Sequence, residues 1–409
     1  MVNLMKKIFF YSFIILNPLL YFSLFLLSIN RDYFFAQHWE NFNLNQRLIT
    51  FIIFLFLLII YFGLFKYDIK QKSKIVILVI ILLTCLITPP FFSRDLMAYI
   101  LGGNNLLNPK INPYTQNLNT NPNLQPIYDQ APDLWWLNTP SNYGPIFLLL
   151  CGLLGRFRIE QHFLLAIYIY KFFSLILFLF SGFFLHQLLK EKNLPQKILW
   201  FYYLNPAILI NLVLESHNDI FLVSLFFLIF LVKKNHFFLT SLYFTSIFIK
   251  YFSLILLPFI WFKKNSFNWR TFIISNISLI FLIISFFTFF SLNPFDYWKK
   301  LMTTRTEGIC LYNCSPFIQL TSIFDSFAPR IRLITFIILY FLIFYFTLVK
   351  EKNFLTFIFW ELFILFFVYI SWLPPWYLTI LIALTFLFKQ KNYQVVNFAL
   401  TIYSLLNYF

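Results

Sequence analysis

The chain has 409 residues, of which 60% are hydrophobic and only 11% are charged, and its mean hydropathy is +0.77. A soluble domain of this size cannot bury that much apolar surface, so the composition indicates a protein surrounded by lipid. The formal net charge of +16 does not indicate a nucleic-acid-binding protein, because lysine and arginine lie mainly in short segments between apolar runs.

The apolar runs predict an all-α, multi-pass transmembrane protein. The first run follows Lys6 and Lys7, is too long for a signal-peptide core and has no small-residue cleavage site, so we expect a span there. If the run 146–155 does not cross and 237–262 is a hairpin turning near Lys250, every basic cluster lies on the cytoplasmic side. About thirteen crossings result. The runs of spanning or near-spanning length are 8–29, 48–65, 75–91, 163–189, 197–213, 219–232, 237–249, 251–262, 270–292, 331–349, 354–372, 376–388 and 393–409.

We predict one membrane-embedded domain over residues 1–409. Its parts are three first spans (1–91), an active-site loop with short helices (92–145), the helices of a catalytic half (146–292), an outer loop (293–330) and C-terminal helices (331–409). With this orientation the two loops, the Glu215–Asp219 turn and the Ser371–Tyr377 turn all lie on the extracytoplasmic face. The non-basic polar residues therefore collect on one side of the membrane.

The loop 92–145 is the longest polar stretch of the chain, and it is rich in Asn, Pro, Tyr and Trp. It is too long for a simple connection between helices, and such loops are usually functional or disordered. Its aromatic content and the lack of a charge run argue against disorder. We therefore predict that it forms one wall of a site at the membrane surface.

Two groups of residues in these segments are candidates for chemistry. Asp95, next to Arg94, either acts as a general base or forms a solvated pair at a helix end. Glu215, His217 and Asp219 are ionisable residues close to the bilayer, which often mark a substrate pathway, although an N-cap by Asn218 or Asp219 is the alternative. A metal site at this cluster has no further histidine or cysteine pair to complete it.

Lys250 stands between two apolar runs, where a lysine either snorkels to the interface or pairs with an anion such as a lipid phosphate. Trp376 and Tyr377 follow two prolines, and by themselves they fit an aromatic belt at the interface. Cys310 and Cys314 share one polar loop and would form a disulfide only if that loop faces an oxidising compartment.

Taken together and in order, these motifs resemble the GT-C type integral-membrane glycosyltransferases, in particular the bacterial polyprenyl-phosphate-mannose-dependent mannosyltransferases. The resemblance covers roughly residues 90 to 380. It departs from the family at Glu215-Ser216, where members often carry a glycine before His-Asn-Asp. The matching motifs are Ser93-Arg94-Asp95, Asn112-Pro113-Tyr114, Asn142-Tyr143-Gly144-Pro145, Ser216-His217-Asn218-Asp219, Lys250 and Pro375-Trp376-Tyr377.

The resemblance implies inverting transfer of a hexose, typically mannose, from a polyprenyl-phosphate donor to an extracytoplasmic glycan or lipid acceptor at the cytoplasmic membrane. By this analogy Asp95 is the general base, and Arg94, His217 and Lys250 hold the donor phosphate. The substrate-binding residues are then Tyr114, Tyr143, Asn218, Asp219, Trp376 and Tyr377. We expect no cofactor and no metal, because cationic side chains can stabilise a phosphate leaving group.

Two other classes remain open from the sequence. A transporter or lipid-oligosaccharide flippase would place its ionisable residues at mid-span depth, whereas the acidic residues here lie at the ends of spans. An outer-face polysaccharide polymerase would carry several arginines and a histidine in one large late loop. The loop 293–330 has Arg305 and Arg330 but no histidine, so the glycosyltransferase is favoured.

Overall fold

The computed structural model describes residues 2–29, 42–67, 69–124, 138–155, 163–232, 235–263, 266–267, 269–296, 299, 315–321, 328–350 and 353–409. Most of these residues are helical, and the strands among them form one two-residue antiparallel pair in which Phe262 faces Phe267 and Lys263 faces Ser266. The predicted all-α, multi-pass membrane class is therefore confirmed.

The helices follow the apolar runs but are interrupted more often than the runs are. The α-helices are α1 Val2–Tyr11, α2 Asn17–Ser28, α3 Leu44–Lys66, α4 Gln71–Ile87, α5 Asp95–Leu107, α6 Pro145–Gly155, α7 Phe163–Glu191, α8 Ile198–Tyr203, α9 Pro206–Ile208, α10 Asp219–Val232, α11 His236–Ile249, α12 Pro258–Trp261, α13 Trp269–Phe289, α14 Pro316–Thr321, α15 Ala328–Ile343, α16 Phe354–Ile364, α17 Leu378–Thr385 and α18 Lys391–Leu406. The strands are β1 Phe262–Lys263 and β2 Ser266–Phe267. The π-helical segments are Ser12–Leu16, Leu209–Leu214, Phe344–Lys350 and Leu365–Tyr369, and the 3-10 segments are Leu118–Thr120, Pro122–Leu124, Tyr251–Leu256 and Pro375–Tyr377.

Five helices within the described ranges are long and apolar enough to cross a membrane. A sixth candidate is a broken span that bends by 114° between Pro206–Leu214 and Asp219–Val232. The other apolar helices are shorter, because π-helical and 3-10 segments divide several of the runs. The number of crossings remains a prediction. The five long helices are Met5–Ser28, Leu44–Lys66, Phe163–Glu191, Phe272–Phe289 and Ala328–Thr347.

The loop helix α5 is docked tightly against α6 rather than lying on the surface. Where the two helices cross, Gly103 meets Gly152, and a Cβ atom on Gly103 would lie 2.3 Å from the Gly152 nitrogen. Small residues at such crossings let two backbones approach closely within a membrane protein. Almost every residue of α5 is buried as a result, so the start of this helix is held in a rigid setting.

The last helix, α18, joins distant parts of the chain through one polar face. Asn397, Thr401 and Ser404 recur at helical spacing, so their side chains point in nearly the same direction, and Tyr408 follows just after the helix ends. They bond in turn to Tyr61, Asn205, the Pro375 carbonyl and Asn211, at distances of 3.0, 2.9, 3.0 and 2.5 Å. Hydrogen bonds of this kind hold apolar helices together where lipid removes the hydrophobic driving force.

Candidate active site

Asp95 is the first residue of α5, and its side chain is buried, with only 4% of the residue exposed. Its backbone N–H donates to Ser93 Oγ at 3.1 Å. Its position in the first helical turn places the carboxylate near the positive end of the helix dipole. Burial raises the pKa of Asp95 to about 7, although the positive charge of Lys250 acts in the opposite direction. A carboxyl group with this pKa is suited to general-base catalysis near neutral pH.

His217 lies between Asp95 and the aromatic turn near the end of the chain. Its Nδ1 is 3.6 Å from Asp95 Oδ2 and 3.3 Å from the Tyr99 hydroxyl. Its ring stacks on Trp376, with 3.8 Å between centroids and 14° between planes. Trp376 is itself buried, so it is not part of an interfacial aromatic belt.

Two buried polar atoms of this cluster have no hydrogen-bond partner within the described part of the chain. They are His217 Nε2 and Asn218 Nδ2, and both residues are fully buried. A buried polar atom without a partner is costly, and in native proteins it usually has an explanation such as a bound ligand or water. These two atoms are therefore well placed to meet a polar substrate group.

Lys250 forms a buried ion pair with Asp219. Its Nζ donates to both carboxylate oxygens, at 2.8 and 2.7 Å, and lies 4.2 Å from the centre of the Tyr377 ring. Lysine carries three N–H donors, so two go to Asp219 and one remains. With 5% of the residue exposed, Lys250 does not snorkel to the interface.

The end of the loop 92–145 reaches the same place through Tyr143 and Gly144. The Gly144 N–H donates to the Ile249 carbonyl at 3.3 Å, directly before Lys250. A Cβ atom on Gly144 would lie 2.0 Å from the Phe248 carbonyl oxygen, so only glycine allows this approach. The Tyr143 ring packs edge-on against Tyr99 at 4.6 Å.

Glu215 does not face the other acidic groups of its turn. Its carboxylate accepts hydrogen bonds from three consecutive backbone N–H groups, those of Phe91, Phe92 and Ser93. Asp219 is engaged by Lys250 and His217 faces Asp95, so the three side chains do not converge. Over the described ranges no group of three or more His, Cys, Asp or Glu residues is arranged to hold a metal. That the protein works without a metal stays a prediction.

The structure thus brings most of the predicted site residues into one connected cluster, which we call the Asp95 cluster. It comprises Asp95, Tyr143, His217, Asn218, Asp219, Lys250, Trp376 and Tyr377. Arg94 precedes Asp95 as the N-cap of α5. Their individual roles stay predictions.

Tyr114 packs elsewhere, in a small buried group with Leu106, Leu148 and Phe287. Its assignment to substrate binding remains a prediction. Cys310, Cys314 and most of the outer loop 293–330 lie outside the described residues.

Sequence reasoning missed two residues that shape the cluster. Tyr99 follows Asp95 by four positions on the same helix, a spacing that places both side chains on one face. Lys171 lies inside the apolar run of α7 and is fully buried, where an ionisable residue is itself a signal of function. It donates to the Leu214 carbonyl, just before Glu215.

Comparison with known proteins identifies the family. A family model described as "Alpha-(1->6)-mannopyranosyltransferase, N-terminal domain" matches residues 37–263, which is more than half of the chain. The chain belongs to this family. The mannosyltransferase resemblance based on the order of the motifs is therefore confirmed. The matched region of this mannopyranosyltransferase family member includes Asp95, His217 and Lys250 and ends before Trp376.

The chain is also similar to Alpha-(1->6)-mannopyranosyltransferase A of Corynebacterium glutamicum, with 25% identity over 182 residues. The alignment covers 44% of this chain and 36% of the relative, so the chain matches about a third of that protein's length. No solved structure gives a significant match.

Proposed function

We propose that this family member transfers a mannosyl residue from a polyprenyl-phosphate donor to a hydroxyl group of a glycan or glycolipid acceptor. The observation that carries the proposal is the Asp95 cluster, in which a buried carboxylate lies beside a histidine and a buried lysine. The transfer takes place on the extracytoplasmic face of the cytoplasmic membrane, where the positive-inside rule puts this cluster. The bilayer and these two substrates are the partners, and nucleic acid is not one.

In the proposed reaction Asp95 removes the proton from the acceptor hydroxyl while the oxygen attacks C1 of the sugar. The bond between C1 and the phosphate oxygen breaks, its electron pair stays on that oxygen, and polyprenyl phosphate leaves. Displacement from the opposite side inverts the configuration at C1. Burial favours this step, because the raised pKa of Asp95 makes it a stronger base than an exposed carboxylate.

The phosphate is held by groups on the other side of the cluster. Lys250 has one N–H donor beyond the two used by Asp219, and His217 Nε2 and Asn218 Nδ2 have no partner among the described residues. His217 Nε2 donates in the tautomer in which Nδ1 accepts from the Tyr99 hydroxyl. Preorganised donors aimed at a developing negative charge are usually the largest contribution to catalysis. Since these groups can stabilise a phosphate monoester, the reaction needs no metal and no cofactor.

The test is sugar transfer by the purified protein in detergent. Radiolabelled polyprenyl-phosphate mannose and an α-(1→6)-linked mannose oligosaccharide serve as substrates, with and without EDTA. We expect transfer that survives EDTA and falls about 10²- to 10⁴-fold in Asp95→Asn, the range expected for loss of a general base.

Three results contradict the proposal. Near-wild-type turnover in Asp95→Asn would show that Asp95 is not the general base. Transfer from a nucleotide sugar but not from polyprenyl-phosphate mannose would show that the donor is not a lipid phosphate. If the protein moves a lipid-linked sugar across vesicles without transferring it, the transporter alternative takes its place.

A further inference from the structure

The carboxylate of Glu215 is bound in a nest formed by the chain itself. Its Oε1 accepts from Phe91 N–H at 3.0 Å and Phe92 N–H at 3.2 Å, and its Oε2 accepts from Ser93 N–H at 2.9 Å. Only 1% of the residue is exposed. Successive backbone N–H groups that point into one concavity are a recurrent way to bind an anion. Here the anion comes from a residue 122 positions further along the chain.

This nest leads directly to Asp95. Ser93, the last residue of the nest, accepts the Asp95 N–H through its Oγ at 3.1 Å. Glu215 therefore sets the path of the backbone into the first turn of α5. Without Glu215, three buried N–H groups shortly before Asp95 would lack an acceptor. Buried backbone N–H groups are rarely left without a hydrogen-bond acceptor.

The same residue also fixes the other side of the cluster. Two positions after Glu215, His217 places its Nδ1 3.6 Å from Asp95 Oδ2. Between them Ser216 adopts a left-handed backbone with φ of 55°, which turns the chain sharply toward the cluster. One carboxylate thus controls the distance between Asp95 and His217, two groups that come from separate parts of the sequence.

A cation beside Glu215 makes its burial possible. Lys171 donates to the Leu214 carbonyl, and also to the Val213 carbonyl at 3.5 Å, at the end of the π-helical segment. Its charge attracts the Glu215 carboxylate. A buried carboxylate is tolerated only when a cation and hydrogen bonds compensate for lost water, and Glu215 has both.

We propose that Glu215 is a positioning residue for the transfer reaction: it holds the backbone of residues 91–93 so that Asp95 faces His217 and the acceptor hydroxyl. It does not touch either substrate. The inference rests on the proposed function, because only that function makes Asp95 the base.

The test compares Glu215→Gln with Ser93→Ala and with a matched control. Gln keeps the size of Glu but turns one acceptor oxygen into an NH₂ group that faces N–H donors. Ser93→Ala removes the hydroxyl that accepts the Asp95 N–H and that also lowers the pKa of the Asp95 carboxyl. Glu361→Gln is the control for loss of a buried carboxyl alone: Glu361 is fully buried on α16, outside the Asp95 cluster, and its carboxyl oxygens have no hydrogen-bond partner among the described residues.

We expect Glu215→Gln to lower kcat about 10- to 100-fold, the order of loss that a small misplacement of a catalytic group causes. The KM for donor should change less than kcat, since Lys250 is held by Asp219 and not by Glu215. The midpoint of the pH–rate profile should move upward. The Ser93 side chain lowers the pKa of the Asp95 carboxyl, so displacement of Ser93 raises that pKa, while His217, Lys250, Asp219 and Tyr99 still face the carboxyl. Ser93→Ala should show the same upward shift, and Glu361→Gln should show none.

Infrared titration of the Asp95 carboxyl gives a readout that does not depend on transfer. The Asp95 signal is the difference between the spectrum of each protein and that of the same protein carrying Asp95→Asn. An upward shift in Glu215→Gln supports positioning even if the wild type transfers no mannose, which would defeat the proposed function alone. If activity falls only in proportion to the amount of folded protein and neither titration moves, Glu215 is merely structural and the inference is overturned. If Glu215→Gln does not fold, Glu215→Asp, which keeps the charge but shortens the side chain, takes its place, and its titration decides between the two outcomes.

Discussion

The buried pair of Lys250 and Asp219 allows structural stability and donor binding to be separated by substitution. Asp219 has no exposed surface, and both of its carboxylate oxygens bond to Lys250 Nζ, at 2.8 and 2.7 Å. Removing one partner of a buried pair leaves an uncompensated charge, which destabilises a protein by about 3–5 kcal/mol. We therefore expect Lys250→Met to unfold at a clearly lower temperature than the wild type, and Asp219→Asn to do so as well.

The double variant Lys250→Met/Asp219→Asn removes both charges while nearly keeping both side-chain volumes. The double variant leaves no unpaired buried charge, and such a charge is the main cause of the loss in each single variant. Most of the loss seen in each single variant should therefore be recovered. Donor binding should not recover, because the cation proposed to hold the phosphate is absent.

Two measurements on each purified variant check this reasoning. Thermal unfolding in detergent gives the stability, and initial rates over a range of donor concentration give KM and kcat. We expect the double variant to unfold near the wild-type temperature, with the KM for lipid donor raised more than kcat is lowered. A double variant with wild-type donor KM would refute the phosphate-binding role of Lys250. A single variant with wild-type stability would refute the structural reasoning.

Three further predictions concern separate parts of the site. The value of kcat/KM should rise about tenfold per pH unit up to a plateau above about pH 7, because Asp95 acts as a base only when ionised and its pKa is about 7. A profile that is flat from pH 5 to 8 contradicts this prediction. Gly144→Ala should yield a poorly folded, inactive protein, since its Cβ would lie 2.0 Å from the Phe248 carbonyl oxygen; wild-type thermal stability contradicts the close approach. Ser216→Gly should be nearly neutral in thermal stability and transfer rate. Relief of the left-handed backbone strain, worth about 1–2 kcal/mol, offsets the lost hydrogen bond from Ser216 Oγ to the Val213 carbonyl at 3.0 Å. A large loss of stability or of rate contradicts this expectation.

How far the sequence predicted the site depends on the kind of contact involved. The ordered motifs identified Asp95, His217 and Lys250 because ionisable residues next to apolar runs are conspicuous. The sequence did not predict that Glu215 turns away from these groups to bind the backbone of residues 91–93. Periodicity and spacing describe local structure, whereas that contact joins residues more than a hundred positions apart.

The same distinction applies to the fold. The all-α membrane class follows from hydropathy, since a continuous apolar stretch requires helices in lipid. The interruptions do not follow, because π-helical and 3-10 segments such as Leu209–Leu214 and Tyr251–Leu256 are as apolar as the α-helices around them. The 114° bend at the Glu215–Asn218 turn arises partly from the left-handed backbone of Ser216. The sequence did not indicate this conformation, because the position is not a glycine.

The polar face of α18 has a consequence for how the protein is made. Asn211 precedes the Glu215–Asp219 turn, yet it depends on Ser404 and Tyr408 for two of its hydrogen bonds. The turn that carries Trp376 also depends on Ser404. During synthesis, early helices can enter the membrane long before these late residues leave the ribosome. Each newly made chain should therefore pass through an inserted but inactive stage, and a ribosome stalled before residue 400 should display that stage.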